Sequence, residues 1–104
     1  ARGLRGHDPS RGGPLMIERA VTIANRNGLH ARPAAEIVKA AAKFKSGITI
    51  VRDDMEVNGK SIMGVMMLAA EFGATILLRV EGPDAEEAIV ALAELIEGKF
   101  GEST

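Results

Sequence analysis

The chain contains no cysteine, which excludes a disulfide framework and a thiolate metal centre. Its two histidines, His7 and His30, lie far apart, so a histidine-built metal site is not expected, and no metal or cofactor is called for. No apolar run approaches the roughly 20 residues that a membrane helix requires, and the N-terminus lacks the apolar core of a signal peptide. A cytoplasmic protein with no membrane insertion is expected. A marked excess of charge of either sign is missing too. The net charge is −1, with +2 in residues 1–15 and −3 in the remainder, which leaves no basic footprint for nucleic acid. No glycine-rich phosphate loop of the nucleotide type is present, nor any internal repeat. At 104 residues one domain is expected, with no room for a second catalytic one.

What the chain does have is a clear order of elements. Residues 1–15 hold four glycines and two prolines with no apolar period and read as a disordered arm, whether native extension, mis-assigned start or expression remnant. His7, inside it, is given no role. Ile17, Arg19, Val21 and Ile23 share one side of a first strand, with Val21 and Ile23 as its core members, and Asn25 to Gly28 break it as a turn. Ala34, Ile37, Val38, Ala41 and Ala42 then keep the spacing of one helical stripe, predicting a helix that ends near Phe44 to Gly47. Ile48 to Val51 and Met55 to Val57 form a hairpin about Arg52-Asp53-Asp54, stopped by Asn58-Gly59.

Ser61 to Glu71 is expected to be a short helix. Its stripe Ile62, Val65, Met66 and Ala69 can face a core, while Met63, Met67 and Ala70 make a second apolar side, so the helix is either buried all round or adhesive. Thr75 to Val80 is a strand with Ile76, Leu78 and Val80 on one face. Asp84 with Glu87 three residues on reads as an aspartate version of the capping box, opening a last helix over about Ala85 to Glu97. Its inner stripe is Ala88, Ile89, Leu92, Leu95 and Ile96, and Gly98 is its stop. The order β-α-β-β-α-β-α suggests helices on one face of a four-stranded sheet, for which a ferredoxin-like sheet is the generic guess.

The chemistry concentrates in Gly28-Leu29-His30-Ala31-Arg32-Pro33-Ala34, where a strand-like segment gives way to a helix. A helix N-terminus leaves its first N–H groups unpaired and carries roughly half a positive charge, so it favours anions. Pro33 supports the placement, because proline is well tolerated in a first turn. His30 then stands at the mouth of a small anion site with a nucleophilic ring nitrogen, and Arg32 adds a permanent charge whose planar donor fork suits phosphate. The combination suggests transient phosphorylation of His30. A lone histidine before a helix is more often a capping or surface residue, and Arg32 could be a solvated cation. Arg32 is slightly unfavourable where it stands, which argues for a function.

Gly28 to Ala34 resembles the active-site motif of the HPr family, the histidine-containing phosphocarriers of the bacterial phosphotransferase system. Lys60-Ser61-Ile62-Met63-Gly64-Val65-Met66 resembles that family's second signature, and residues 16–104 match a family member's length. The resemblance implies an α+β fold, the HPr-like open-faced β-sandwich with a four-stranded antiparallel sheet in the order 1-4-2-3 and three helices on one face. It implies that His30 takes phosphate on Nδ1 from phosphorylated enzyme I and passes it to EIIA domains of a sugar transporter, as a monomeric phosphocarrier without turnover of its own. Ala31 and Arg32 N–H groups become the expected phosphate ligands. Ser61, a good N-cap in its own right, becomes a regulatory phosphorylation site wherever HPr kinase/phosphorylase is present. Ile62, Met63 and Met66 match the apolar docking patch beside the active histidine; as flexible, polarizable side chains the methionines suit several partners. Two other functions fit less well: the nitrogen-branch regulatory phosphocarrier, since Lys60 to Gly64 looks more like the sugar type, and a corepressor-type protein-binding regulator acting through phospho-Ser61.

Overall fold

A computed structural model describes residues 15–101. In chain order the elements are β1 (Leu15–Thr22), α1 (Ala31–Ala41), β2 (Gly47–Arg52), β3 (Met55–Asn58), α2 (Ile62–Met67), β4 (Thr75–Gly82) and α3 (Ala85–Glu97), then a 3-10 turn at Lys99–Gly101. The expected arm lies outside the described residues except for Leu15, which is already in β1, opposite Gly82. The sheet order is β1-β4-β2-β3 with every neighbouring pair antiparallel. The order implied by the resemblance therefore holds, and the ferredoxin-like guess does not.

The register is set by burial. Ile76, Leu78 and Val80 of β4 are buried, and across the sheet they meet Val21, Arg19 and Ile17 of β1, with Leu78 and Val80 also opposite Ile50 and Ile48 of β2. A slip of one residue would turn each of these apolar rows to solvent, which pins the pairing. Arg19 shares the core-facing side of β1 and escapes it by reaching past the sheet to Glu97, 3.6 Å away at the end of α3.

Helix α3 lies against β1 and β4, α2 against β3, and α1 against both other helices. Pro33, Ala34, Ile37 and Ala41 of α1 are buried, as are Ala85, Ala88, Ile89, Leu92, Ala93 and Ile96 of α3. Helix α1 stops at Ala41, earlier than its periodicity predicts, and Ala42 is exposed as its C-cap instead of extending the stripe. The next amides, of Lys43 and Phe44, fold back to Ala40 and Ala41 in tighter three-residue bonds.

Two further expectations are corrected. Helix α2 has six residues, not eleven, and only Val65 within it is buried, with Leu68 and Ala70 beyond its end. Of the two readings left open for it, the adhesive one applies: Ile62 and Met66, which the stripe allows to face a core, are exposed with Met63 and Met67. Once the helix stops at Met67 its 3.6-residue period no longer governs the residues beyond it: Ala69 takes a left-handed backbone and is exposed, and Ala70 turns inward. The capping box at Asp84 does not form either. Its side chain makes no cap bond to α3; it accepts hydrogen bonds from Lys45 N–H at 2.9 Å, Ser46 N–H at 2.9 Å and the Ser46 hydroxyl. The Ser46 hydroxyl first, then the Lys45 N–H, hold the Asp84 carboxyl below the usual carboxylate range, at about 2. Asp84 thus ties the loop before β2 to the start of α3.

Candidate phosphate-accepting site

The segment between β1 and α1 is built by backbone bonds. Ile23 N–H donates to Ala74 O and Ile23 O accepts from Gly73 N–H, both at 2.8 Å, so the chain leaves the sheet pressed against residues 73–74. Asn25 is fully buried; its Nδ2 donates to Gly28 O at 2.9 Å while Gly28 N–H donates to Asn25 O at 3.2 Å. The small loop is thereby closed on itself. Gly28 has φ +71°, and a Cβ there would stand 2.5 Å from Ala70 O, so both conformation and space demand glycine. Leu29 buries its side chain and donates its N–H to Ala70 O at 2.9 Å.

His30 comes next as the N-cap of α1, exposed, with extended backbone (φ −84°, ψ −170°) and no side-chain cap bond. Its carbonyl accepts the N–H of Ala34 at 3.0 Å. Pro33 has no N–H, so the N–H groups of Ala31 and Arg32 are the donors this helix end presents. Both residues are exposed, and no acidic residue stands in the first turn. The anion-favouring field of the helix is therefore not answered by the chain's own first turn.

Ser61 is the N-cap of α2, its Oγ accepting the Gly64 N–H at 3.1 Å. Helices α1 and α2 are in contact, and two bonds set their relative direction. Leu29, just before α1, meets Ala70, just after α2, while Lys60 Nζ, just before α2, donates to Phe44 O, just after α1, at 2.8 Å. The helices run antiparallel, so Ser61 sits at the end of α2 away from His30. Six residues of helix span about 9 Å. The expected docking residues accordingly divide, with Ile62 and Met63 beside Ser61 and Met66 a turn closer to the His30 end. All three are exposed, Met63 at 76%.

Sequence reasoning leaves Asn25, Phe72 and Arg52 out of this site and names Met67 only on the second apolar side of α2. Asn25 reads only as part of a turn, although asparagine readily bonds backbone two or three residues on. Met67 and Phe72, 62% and 61% exposed, extend the apolar surface past α2 into the segment that holds Leu29; large apolar residues in so exposed a place are a signal of contact. Arg52, at the end of β2, bonds Leu68 O, Ala69 O and Glu71, which no local pattern indicates. An open cleft of about 660 Å³ is lined by Arg52, Asp53, Asp54, Met55, Met67, Leu68 and Ala69. His30 is outside it. Its ring lies on open surface, where a large partner can reach it. Among the described residues no cluster of His, Asp or Glu could hold a metal, and no helix is long and apolar enough to cross a membrane.

The arrangement is one exposed histidine at a helix N-terminus whose first turn holds no acid, with an exposed apolar surface on α2 and the histidine outside the cleft at Arg52 and Met67. Comparison with known proteins gives the family. The sequence profile described as the PTS HPr component phosphorylation site matches residues 17–98. Phosphocarrier protein HPr of Treponema pallidum is 52% identical over 84% of this chain and 99% of its own length. The crystal structure of HPr from Thermoanaerobacter tengcongensis superposes with a TM-score of 0.80 at 52% identity, covering 84% of this chain and 98% of that one. More divergent is phosphocarrier protein NPr of Shewanella violacea, at 40% identity over 85% of this chain and 97% of that protein. HPr-like protein Crh of Halalkalibacterium halodurans is 49% identical over 79% and 98%. The chain belongs to the HPr family, and by family it is a phosphocarrier component of the phosphotransferase system, not a catalytic enzyme.

Proposed function

We propose that this chain accepts phosphate on Nδ1 of His30 from phosphorylated enzyme I and passes it to the EIIA domain of a sugar transporter. The observation that carries the reading is the exposed N-cap histidine of α1, whose first turn offers the Ala31 and Arg32 N–H groups and the Arg32 guanidinium and contains no acidic residue. In transfer, the Nδ1 lone pair attacks phosphorus as the donor's bond to phosphorus breaks and its electron pair returns to the donor. Charge on the phosphoryl oxygens meets the two N–H groups and Arg32. Partners reach the ring from open solvent and dock on Ile62, Met63 and Met66. The site needs no cofactor, since the phosphate arrives activated, is held on Nδ1 as a phosphoramidate, and passes to a second nucleophile as the P–N bond breaks and its electron pair returns to the ring.

The Lys60 to Gly64 run and the higher identity to HPr-named relatives than to the NPr one favour the sugar branch over the nitrogen branch. Ser61 serves as a cap and, where an HPr kinase/phosphorylase is present, as a regulatory phosphate acceptor. The test is incubation with phosphoenolpyruvate and enzyme I. One acid-labile phosphate is expected on His30, and His30→Ala should fold normally and take none. If His30→Ala still accepted phosphate from enzyme I, the assignment would be wrong.

A further inference from the structure

We propose that Arg52 is a positioning residue for His30, acting through residues 68–71. The inference rests on the reading of His30 as phosphate acceptor. A short helix such as α2 ends with carbonyls that lack intrahelical partners, and here Arg52 answers them from another element. Its NH1 donates to Leu68 O at 3.1 Å and Ala69 O at 2.9 Å, while NH2 meets Glu71 Oε1 at 2.7 Å. The Arg52 side chain is three-quarters covered, the Glu71 side chain two-thirds exposed, so the carbonyl bonds matter more than the ion pair. Between those anchor points Ala69 holds φ +49°, a left-handed backbone that an alanine keeps only when its surroundings impose it.

The restrained segment is the one that the active loop leans on. Ala70 O, between the residues Arg52 grips, accepts the Leu29 N–H at 2.9 Å. Gly28 lies so close that even a Cβ would collide with that oxygen. Gly28 O in turn accepts the His30 N–H at 3.0 Å. Residues 68–71 therefore have no slack toward Gly28 and Leu29, and a relaxation at Ala69 displaces or breaks the bond that sets where His30 begins α1. Lysine would keep the charge but not the fork that reaches three acceptors.

The experiment combines amide hydrogen exchange with steady-state transfer from phosphorylated enzyme I in Arg52→Met, Arg52→Lys and Arg52→Met/Ala69→Gly. In Arg52→Met the Leu29 amide should exchange about tenfold faster relative to that of Leu78 in central β4. The kcat for transfer should fall about three- to tenfold with KM within about twofold, because alignment and not docking is lost. Arg52→Lys should lie between. Glycine at 69 adopts the left-handed backbone without restraint, so the double variant should recover most of both losses. Parental Leu29 exchange and kcat in Arg52→Met would overturn the proposal. So would uniform acceleration of all amides with kcat intact, which would make Arg52 a stabilising residue only, or a rise in KM alone, which would place its action at the docking face. Should the parent protein take no phosphate on His30, the reading of His30 falls separately, and the Leu29 exchange still decides whether Arg52 holds the loop.

Discussion

Helix α3 begins with Asp84, Glu86 and Glu87, whereas α1 begins with His30 and Arg32 and has no acid in its first turn. Both ends carry the same partial positive charge. In α3 it is met by the chain's own carboxylates, and Asp84 at the same time secures a loop 38 residues away in sequence. In α1 the first turn supplies no acid to meet it. A helix end whose first turn carries acids contributes to stability and has little to offer an anion; one whose first turn carries none forgoes some stability and keeps its attraction for an anion. The start of α2 falls between them, since Ser61 caps it without adding charge.

The comparison breaks most sharply if α1 is made to resemble α3. Ala31→Glu places a carboxylate in the first turn, which should leave the fold equal or more stable by about 0.3–1 kcal/mol. The same carboxylate would oppose an incoming phosphate, with a repulsion of about 4 kcal/mol for unit charges 4 Å apart near a protein surface. Transfer from phosphorylated enzyme I should therefore slow at least about tenfold after screening by salt. Thermal melting and phosphotransfer on one preparation check both halves, and parental transfer would show that the open end of α1 is not what receives phosphate.

A smaller effect is expected where charge is added to the capped but uncharged end. Ser61→Ala loses the bond to Gly64 N–H and should cost about 0.5–2 kcal/mol. Ser61→Asp retains a cap and should match or exceed the alanine variant in stability. Its charge lies beside the exposed Ile62 and Met63 and away from His30, so transfer should slow several-fold through KM with kcat little changed. An unfolded Ser61→Asp, or one that transfers at the parental KM, would leave Ser61 as a cap alone.

The mildest change is expected at α3, where the prediction concerns stability against pH. The Asp84 carboxyl titrates at about 2 in the folded protein, below its unfolded value, so its contribution is complete above about pH 4 and disappears as pH falls through about 2. Asp84→Asn should melt a few degrees lower at neutral pH and lose less of its stability between pH 4 and 2, with phosphotransfer unaltered. If parent and variant melted in parallel across that window, the bonds to Ser46 and Lys45 would not be the source of the low value.

How far the chain can be read from its residues alone depends on where the information lies. Helices α1 and α3 show one apolar stripe each and are legible from spacing, as are Ile76, Leu78 and Val80 in β4. Helix α2 is misjudged in length, and because its apolar residues lie on two sides spacing alone leaves open which side is covered. Asp84 misleads for a different reason: an aspartate before a helix is a good local cap, but two N–H groups and a hydroxyl brought from residues 45 and 46 compete for it and win. His30, Arg32 and Ser61 can be named because helix ends and their polar residues are close in sequence.

By itself, then, the order of residues determined the two long helices, the alternating rows of the sheet and the candidate acceptor at the start of α1, because each depends on neighbours within about four residues, where backbone geometry fixes the periodicity. Only the tertiary structure decided that α2 lies antiparallel to α1 with Ser61 remote from His30, that its methionines face solvent, and that Arg52 grips residues 68–71 against Gly28. Those are contacts between segments 16 to 42 residues apart, and a residue so far along the chain leaves no local trace of the partner that packing brings to it.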